Sequence, residues 1–459
     1  IEPLTPSYAW GAAGPVDPAT SGERVFDFMI SESPFMVNGR KGMAKTVNGT
    51  VPGPLLRARE GENVVIRVSN KLKTSTSIHW HGVMVPNGMD GIPGVTFRGI
   101  EPGTVFEYRF PVRQSGTYWF HSHSGLEEQL GVYGPIILDP ADRDLIVYDR
   151  DYVALLSDWS FESPMQMIAN LKKYPGYYNF HKPTVADYRA GGPVSADWLK
   201  MRMDPTDFAD VSGYTYTYLV NGMTPRANWT PLFKPGERVR LRFIGGSAMT
   251  EFDVRIPGLK LSVVQADGEN IQPVEVDEFR IAPGETYDVL VQPPDDQAYT
   301  IFAEAMDRSG YARGTLAPRP GMSAPLPLRR PRPLLGMADM GMDMSSMKGM
   351  TMGGASPKPS APSHDMSGMQ MPGMDMPGTS TLSATSAYPP GSPPFAHGPD
   401  THGVGNSLIP MMETNRLDDP GPGLRDTGTR VLVYSDLLSL QPSADRRSPS
   451  RVVELHITG

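Results

Sequence analysis

Four of the nine histidines fall in two His-x-His pairs, His79 and His81 in "TSIHWHGVMV" and His121 and His123 in "GTYWFHSHSG". On a strand, residues i and i+2 share a face and lie roughly 6.8 Å apart. Each pair therefore projects two imidazoles to one side, while Trp80 points the other way into a core and Ser122 is turned aside. If the two strands are neighbours, four imidazoles converge. Imidazole suits copper, zinc, iron or nickel, and with no cysteine anywhere in the chain copper is the favoured ion. A single His-x-His pair is an ordinary strand feature. Two pairs in one copy of an internal repeat point to metal binding when the other copy does without them. The second copy has "TEFDVRI" where the first has "SIHWHGV".

The elements that must position these residues are strands. "VNG" occurs at 47–49 and again at 220–222, "EGENVVIRV" is echoed by "PGERVRLRF", and "IEPGTVFEYRF" by "IAPGETYDVLV". Alternating segments such as "NVVIRV", "VRLRFI", "KLSVV" and "YTIFAEA" are bounded by Pro or Gly turns, the pattern of short strands in antiparallel sandwiches. Residues 1–142 are expected to form one sandwich with the histidine motifs, and residues 143–318 a second without metal ligands. Helix is expected only in inserts, "SPMQMIANLKK" and "VSADWLKMRM". A length of 459 residues fits several domains. The 39% hydrophobic residues suffice for packed cores, and 48 glycines with 47 prolines suit many turns plus an unstructured stretch. The net charge of −8 argues against nucleic acid or an anionic membrane surface as partner. No apolar run approaches the ~18 residues of a membrane span.

Residues 319–428 are a different material, rich in Pro, Gly, Ser and Met with almost no apolar periodicity. They are expected to be mostly disordered, because they cannot bury enough surface to offset their ordering entropy. Within them lie Met337, Met340, Met342, Met344, Met347, Met350 and Met352, then Met366, Met369, Met371, Met374 and Met376. This spacing lets a flexible chain wrap three thioethers around one ion, and thioether sulfur selects Cu(I). His364 offers an added imidazole. The plain alternative is a linker whose methionines are compositional. Residues 429–459 then read as the opening strands of a third copy, "RVLVYSDL" echoing "DYVALLSDW" and "VVELHITG" echoing "YTYLVNG". His456 there fits no metal motif. The copy stops early, so the chain is expected to be part of a longer protein, and its start at Ile1 without Met reads as processed.

The motifs "SIHWHGVMVPNGMDGIPG" and "GTYWFHSHSGLEEQLGVYGPIILDP" resemble the first two copper motifs of the multicopper oxidases. The resemblance continues through "LSDW", "YYNF", "MDPTDFADVSGYTYTYLVNG", "FDVRIPG", "VDEFRIAPGETYDV" and "MDRSGYARGTLAPRPGM", from about residue 26 to residue 322, and points to the bacterial copper-resistance members. It implies an all-β fold of tandem cupredoxin-like Greek-key sandwiches, with one type 1 copper and a trinuclear type 2/type 3 cluster. It implies export to the periplasm, with the signal peptide outside this sequence. It assigns His79 to the type 2 copper, and His81, His121 and His123 to the type 3 pair. Asp90, in "MDGIPG", would relay protons as dioxygen is reduced to water, although Asp-Gly is also an ordinary tight-turn pair. Cu(I) and dioxygen are the implied substrates, with phenolic compounds as further candidates.

The departure from the family pattern is the type 1 site and the other half of the cluster, which the family takes from its third domain. With no cysteine and only four motif histidines, the chain holds half of the cluster's ligands and is expected to be inactive alone. The rival reading is a non-enzymatic copper-binding and sequestration protein. A monomer is expected. "NGT" at Asn48 and "NWT" at Asn228 match a glycosylation pattern but read as turns, and the basic run "LRRPRP" at 328–333 as a solvated linker entry.

Overall fold

The structure, a computed structural model, describes residues 23–180, 206–336 and 416–441 with a few isolated positions. The twelve methionines named above, His364, His456 and the "VSADWLKMRM" insert lie outside the described residues. The first sandwich pairs two four-stranded sheets. One holds β1 (Glu23–Val37), β2 (Arg40–Val47), β4 (Asn63–Asn70) and β6 (Val105–Pro111), in the order β2-β1-β4-β6. The other holds β3 (Leu56–Arg59), β5 (His79–His81), β7 (Gly116–His121) and β8 (Tyr133–Asp139), in the order β3-β8-β7-β5. Alternation does the sorting: Val64, Ile66 and Val68 face inward while Arg67 is turned out. Trp80 and Phe120 complete the core opposite them, Trp80 lying edge-on against Tyr108 at 5.1 Å between ring centroids. Each such buried ring contributes about 1.5–3 kcal/mol.

The second sandwich repeats the plan. Its larger sheet is β10-β9-β11-β16-β13-β14, made of β9 (Arg150–Trp159), β10 (Thr217–Val220), β11 (Val239–Gly245), β13 (Leu261–Ala266), β14 (Glu269–Val276) and β16 (Thr286–Val291). The facing sheet is β15-β12-β17-β18, from β12 (Phe252–Arg255), β15 (Glu278–Ile281), β17 (Tyr299–Ala305) and β18 (Tyr311–Leu316). The helix α1 (Pro164–Lys173) forms in the first expected insert. The repeated "VNG" has a physical reason in both copies. Asn48 and Asn221 adopt left-handed φ of 54° and 50°, which Asn-Gly tolerates in tight turns. The Asn48 amide then accepts from Met29 N at 2.7 Å and donates to Asp27 O, and Asn221 does the same with Leu155 N and Val153 O.

The two sandwiches share a hydrophobic cluster that includes Val37, Trp119, Tyr133, Leu155, Trp159 and Leu219. Thr117 on β7 adds three polar ties to the second sandwich. Its N–H donates to Gln265 Oε1, its carbonyl accepts from Thr286 Oγ1, and its hydroxyl oxygen accepts from Arg242. The strand that carries His121 is thus anchored from outside its own domain.

Both margins of the expected disordered stretch include residues that pair with the second sandwich, and in the basic run Arg330 and Arg332 do so half-buried while Leu328 and Arg329 stay exposed. Arg330 makes a two-pronged pair with Glu278, its backbone N–H donates to Glu304, and Arg332 donates to Asp307 O. Glu278 and Glu304 are buried on the sheet, and a buried carboxylate needs a cation; the run supplies one. On the other margin, Arg280 and Arg308 donate to the carbonyls of Pro422 and Gly423. The expected opening strand of a third copy behaves likewise: Val431 bridges Glu278, Tyr434–Asp436 is a single 3-10 turn, and Ser439 bridges Ile271. Replacing Arg330 by Met leaves Glu278 with Arg255 alone and should cost about 1.5–3 kcal/mol. Urea unfolding measures this, and limited proteolysis should then cut within 321–335.

Candidate metal centre

The pairing of β5 with β7 sets His79 opposite His121 and His81 opposite Trp119. Because Trp80 and Phe120 point inward, the alternate positions turn three imidazoles to the outer face. One nitrogen from each of His79, His81 and His121 lies within 4.8 Å of the other two. Ring centroids are 5.8 Å apart for His79–His81, 5.5 Å for His79–His121 and 5.4 Å for His81–His121. His123 follows the end of β7 and is not part of that trio, though its ring stands 4.8 Å from both His79 and His121. The expected convergence of four rings is therefore three close nitrogens with a fourth ring alongside. Trp119 forms the floor, stacked on His121 at 4.1 Å and 10°.

Two of the rings are held from behind, and the other two are fixed by their neighbours or their backbone. The His79 Nδ1–H donates to the Asp90 carbonyl at 2.8 Å, and the Asp90 carboxylate is 3.4 Å away. Asp90 reaches there because Gly91, at φ +81°, follows it: a Cβ at Gly91 would lie 1.8 Å from Ile78 O. His81 turns Nδ1 toward His121 Nε2 at 3.3 Å, with its Nε2 edge toward Gly284 of the second sandwich. The backbone N–H of His123 donates to Ser77 Oγ, which fixes the chain that carries this ring. Two carboxylates that the sequence motifs did not single out stand in the next turn. Glu127 is 3% exposed and bonded to Lys45, Thr76 and Ser122, which ties the loop behind His121 and His123 to the strand bearing His79. Glu128 places Oε2 2.6 Å from His121 Nδ1. The only hint in the sequence was "GLEEQ" directly after the second pair.

Burial lowers the pKa values of His79, His81 and His123, and in His81 the further push of His121 brings it to about 4. Neutral rings with free lone pairs are what a metal needs, so the donor set fits copper: nitrogen only, partly buried and already converged. Beside His81 a cleft of about 360 Å³ opens between the sandwiches, lined also by Trp119, Asp267 and Glu285. On the second sandwich, β12 and β17 occupy the places of β5 and β7, with Asp253 opposite Glu304 and Arg255 opposite Phe302. That face carries ion pairs among Asp253, Glu278, Glu304, Arg255, Arg280 and Arg308 in place of imidazoles.

The lowered value for His81 gives a signed pH dependence. Below its ordinary 6.5 the unfolded chain protonates this ring, while the fold keeps it neutral down to about 4. The unfolded state thus binds more protons, and stability falls as pH drops through that window. The melting temperature of the metal-free protein should decline from pH 7 to pH 5, and less steeply in His81→Gln.

Multicopper oxidase family models match residues 30–143 and 177–319. Copper resistance protein A of Escherichia coli is 49% identical over 461 residues, covering 95% of this chain and 75% of its own length. The copper resistance protein A homolog of Pseudomonas syringae pv. tomato is 51% identical over 467 residues, covering 99% and 77%. Among solved structures, the laccase from Botrytis aclada aligns with a TM-score of 0.53 at 27% identity, over 68% of this chain and 56% of that one. With half of its residues shared with the copper resistance A proteins across nearly its whole length, and with the twin His-x-His strands in place, the chain belongs to the multicopper oxidases, a family of oxidoreductases.

Proposed function

We propose that the chain supplies the histidine half of a periplasmic copper-resistance oxidase, one that oxidises Cu(I), with phenolic compounds as further substrates, and passes the electrons to dioxygen. The observation that carries this reading is the trio of converged imidazole nitrogens on β5 and β7. Four Cu(I) and four protons consume one dioxygen and give four Cu(II) and two waters. Copper resident at the histidines would supply the one-electron redox steps of that reduction. His79 would hold the type 2 ion, and His81, His121 and His123 the type 3 pair. The protein groups do the positioning. The Asp90 carbonyl keeps the His79 proton on Nδ1 and leaves Nε2 to bind. Its carboxylate, 3.4 Å away and partly exposed, is placed to take protons from solvent to the reacting oxygen. Trp119 keeps water from the back of the rings.

Oxidation also needs an electron entry site, and the family's is built on a cysteine that this chain does not contain. The 459-residue chain alone therefore does not turn over. Its methionine-rich run, Met337 to Met376, collects Cu(I) through M-x-M and M-x-x-M thioethers. That same run favours a second reading, in which the protein sequesters copper without redox turnover. Oxygen uptake by the copper-loaded chain with Cu(I) as reductant should equal the protein-free rate; turnover by this chain would refute its inactivity. A peptide of the run, titrated with Cu(I) against a competing chelator, should lose at least tenfold in affinity when its methionines become isoleucine. Unchanged affinity would remove the run from copper handling.

A further inference from the structure

We propose that Glu128 is a positioning residue of the histidine face, holding the His121 ring proton on Nδ1 so that the Nε2 lone pair faces the metal. The inference rests on the reading of that face as a metal site.

The geometry is specific. Glu128 Oε2 stands 2.6 Å from His121 Nδ1, on a ring that is only 6% exposed. The oxygen lies off the axis of an Nδ1–H bond, so the contact is ionic in character rather than a linear hydrogen bond. Its sign still decides the tautomer. Even off that axis, a carboxylate charge this close disfavours a ring whose Nδ1 end is the negative end of its dipole and favours one whose Nδ1 carries the proton. With the proton on Nδ1, His121 Nε2 becomes an acceptor, which matches the His81 Nδ1 found 3.3 Å from it. The other ring of the β5–β7 pair is treated alike, since the Asp90 carbonyl holds the His79 Nδ1 proton. Two directly opposed histidines therefore have their rear nitrogens tied, one by a carbonyl and one by a carboxylate. Such partners of metal-bound histidines fix ring orientation and raise ligand basicity.

Glu128 is placed for this by its neighbour. Glu127 takes the structural role, bonding Lys45, Thr76 and Ser122. The turn closes with Gly131 N–H donating to Glu128 O. Among the described residues, the ionic contact of Glu128 is His121, not a lysine or arginine. Its charge also acts on His81 and His123, so one carboxylate faces three of the rings and offsets cationic charge placed among them.

The test uses the full 459-residue chain, metal-free. Long-range ¹H–¹⁵N spectra of the histidine rings should show His121 as the Nδ1–H tautomer, and a different tautomer balance in Glu128→Gln. Titration with Co(II), followed by visible absorption, should show affinity about 10–100-fold weaker in Glu128→Gln and partly recovered in Glu128→Asp, with melting temperatures unchanged. A wild-type His121 protonated on Nε2, or a Glu128→Gln chain that binds Co(II) as the wild type does, overturns the proposal. A wild-type chain that takes up no Co(II) fails the metal reading itself, and the ring tautomer then decides the role of Glu128 alone.

Discussion

The register of β5 against β7 is the constraint on which the site depends. Side chains alternate across a strand, so a slip of one residue would bury the histidines and expose Trp80 and Phe120. The burial of those two rings among Tyr108, Phe110 and Ile136 makes that slip unfavourable by several kcal/mol. The apolar interior therefore specifies the polar exterior. Thr117 extends the control, because the second sandwich grips β7 through the backbone on both sides of that residue and through its hydroxyl. The arrangement of the imidazoles is in this sense a property of two domains, although the histidines come from one.

Holding imidazoles together has an energetic cost that the fold meets before any ion arrives. The rings are partly desolvated and crowd one another, which disfavours their charged forms. Fixed partners, namely the Asp90 carbonyl and Glu128, then limit the ways in which the rings can relax apart. Little reorganisation of the rings would then be left for a bound metal to impose.

Much of this was legible in the residues. The histidine pairs could be read because a strand has a period of two, and the "VNG" turns because Asn-Gly tolerates left-handed backbone. Asp90 could be singled out through the family resemblance of "MDGIPG", since Asp-Gly alone marks only a turn, and only the fold shows that its carbonyl, and not just its carboxylate, touches His79. His123 could not be separated from its partners, since nothing local marks β7 as ending at His121. Glu128 was hidden for a similar reason: its partner lies seven residues back, across a turn rather than along a strand. The margins 319–336 and 416–441 were the clearest difference. Their composition has no apolar period, yet their arginines and carbonyls meet charges on β12, β15 and β17 that are distant in the chain. Complementarity at that range is invisible to any local window.

The equivalent faces of the two sandwiches solve one electrostatic problem in opposite ways. On β12, β15 and β17, three buried acids are matched by guanidinium groups that belong to the chain. That half carries its own permanent cations and is complete the moment it folds. The β5–β7 half presents imidazoles instead, and among the described residues the ionic partners of His79 and His121 are carboxylates, not guanidinium groups. Copper held by the imidazoles would make one half answerable to the copper supply of the cell and leave the other indifferent to it.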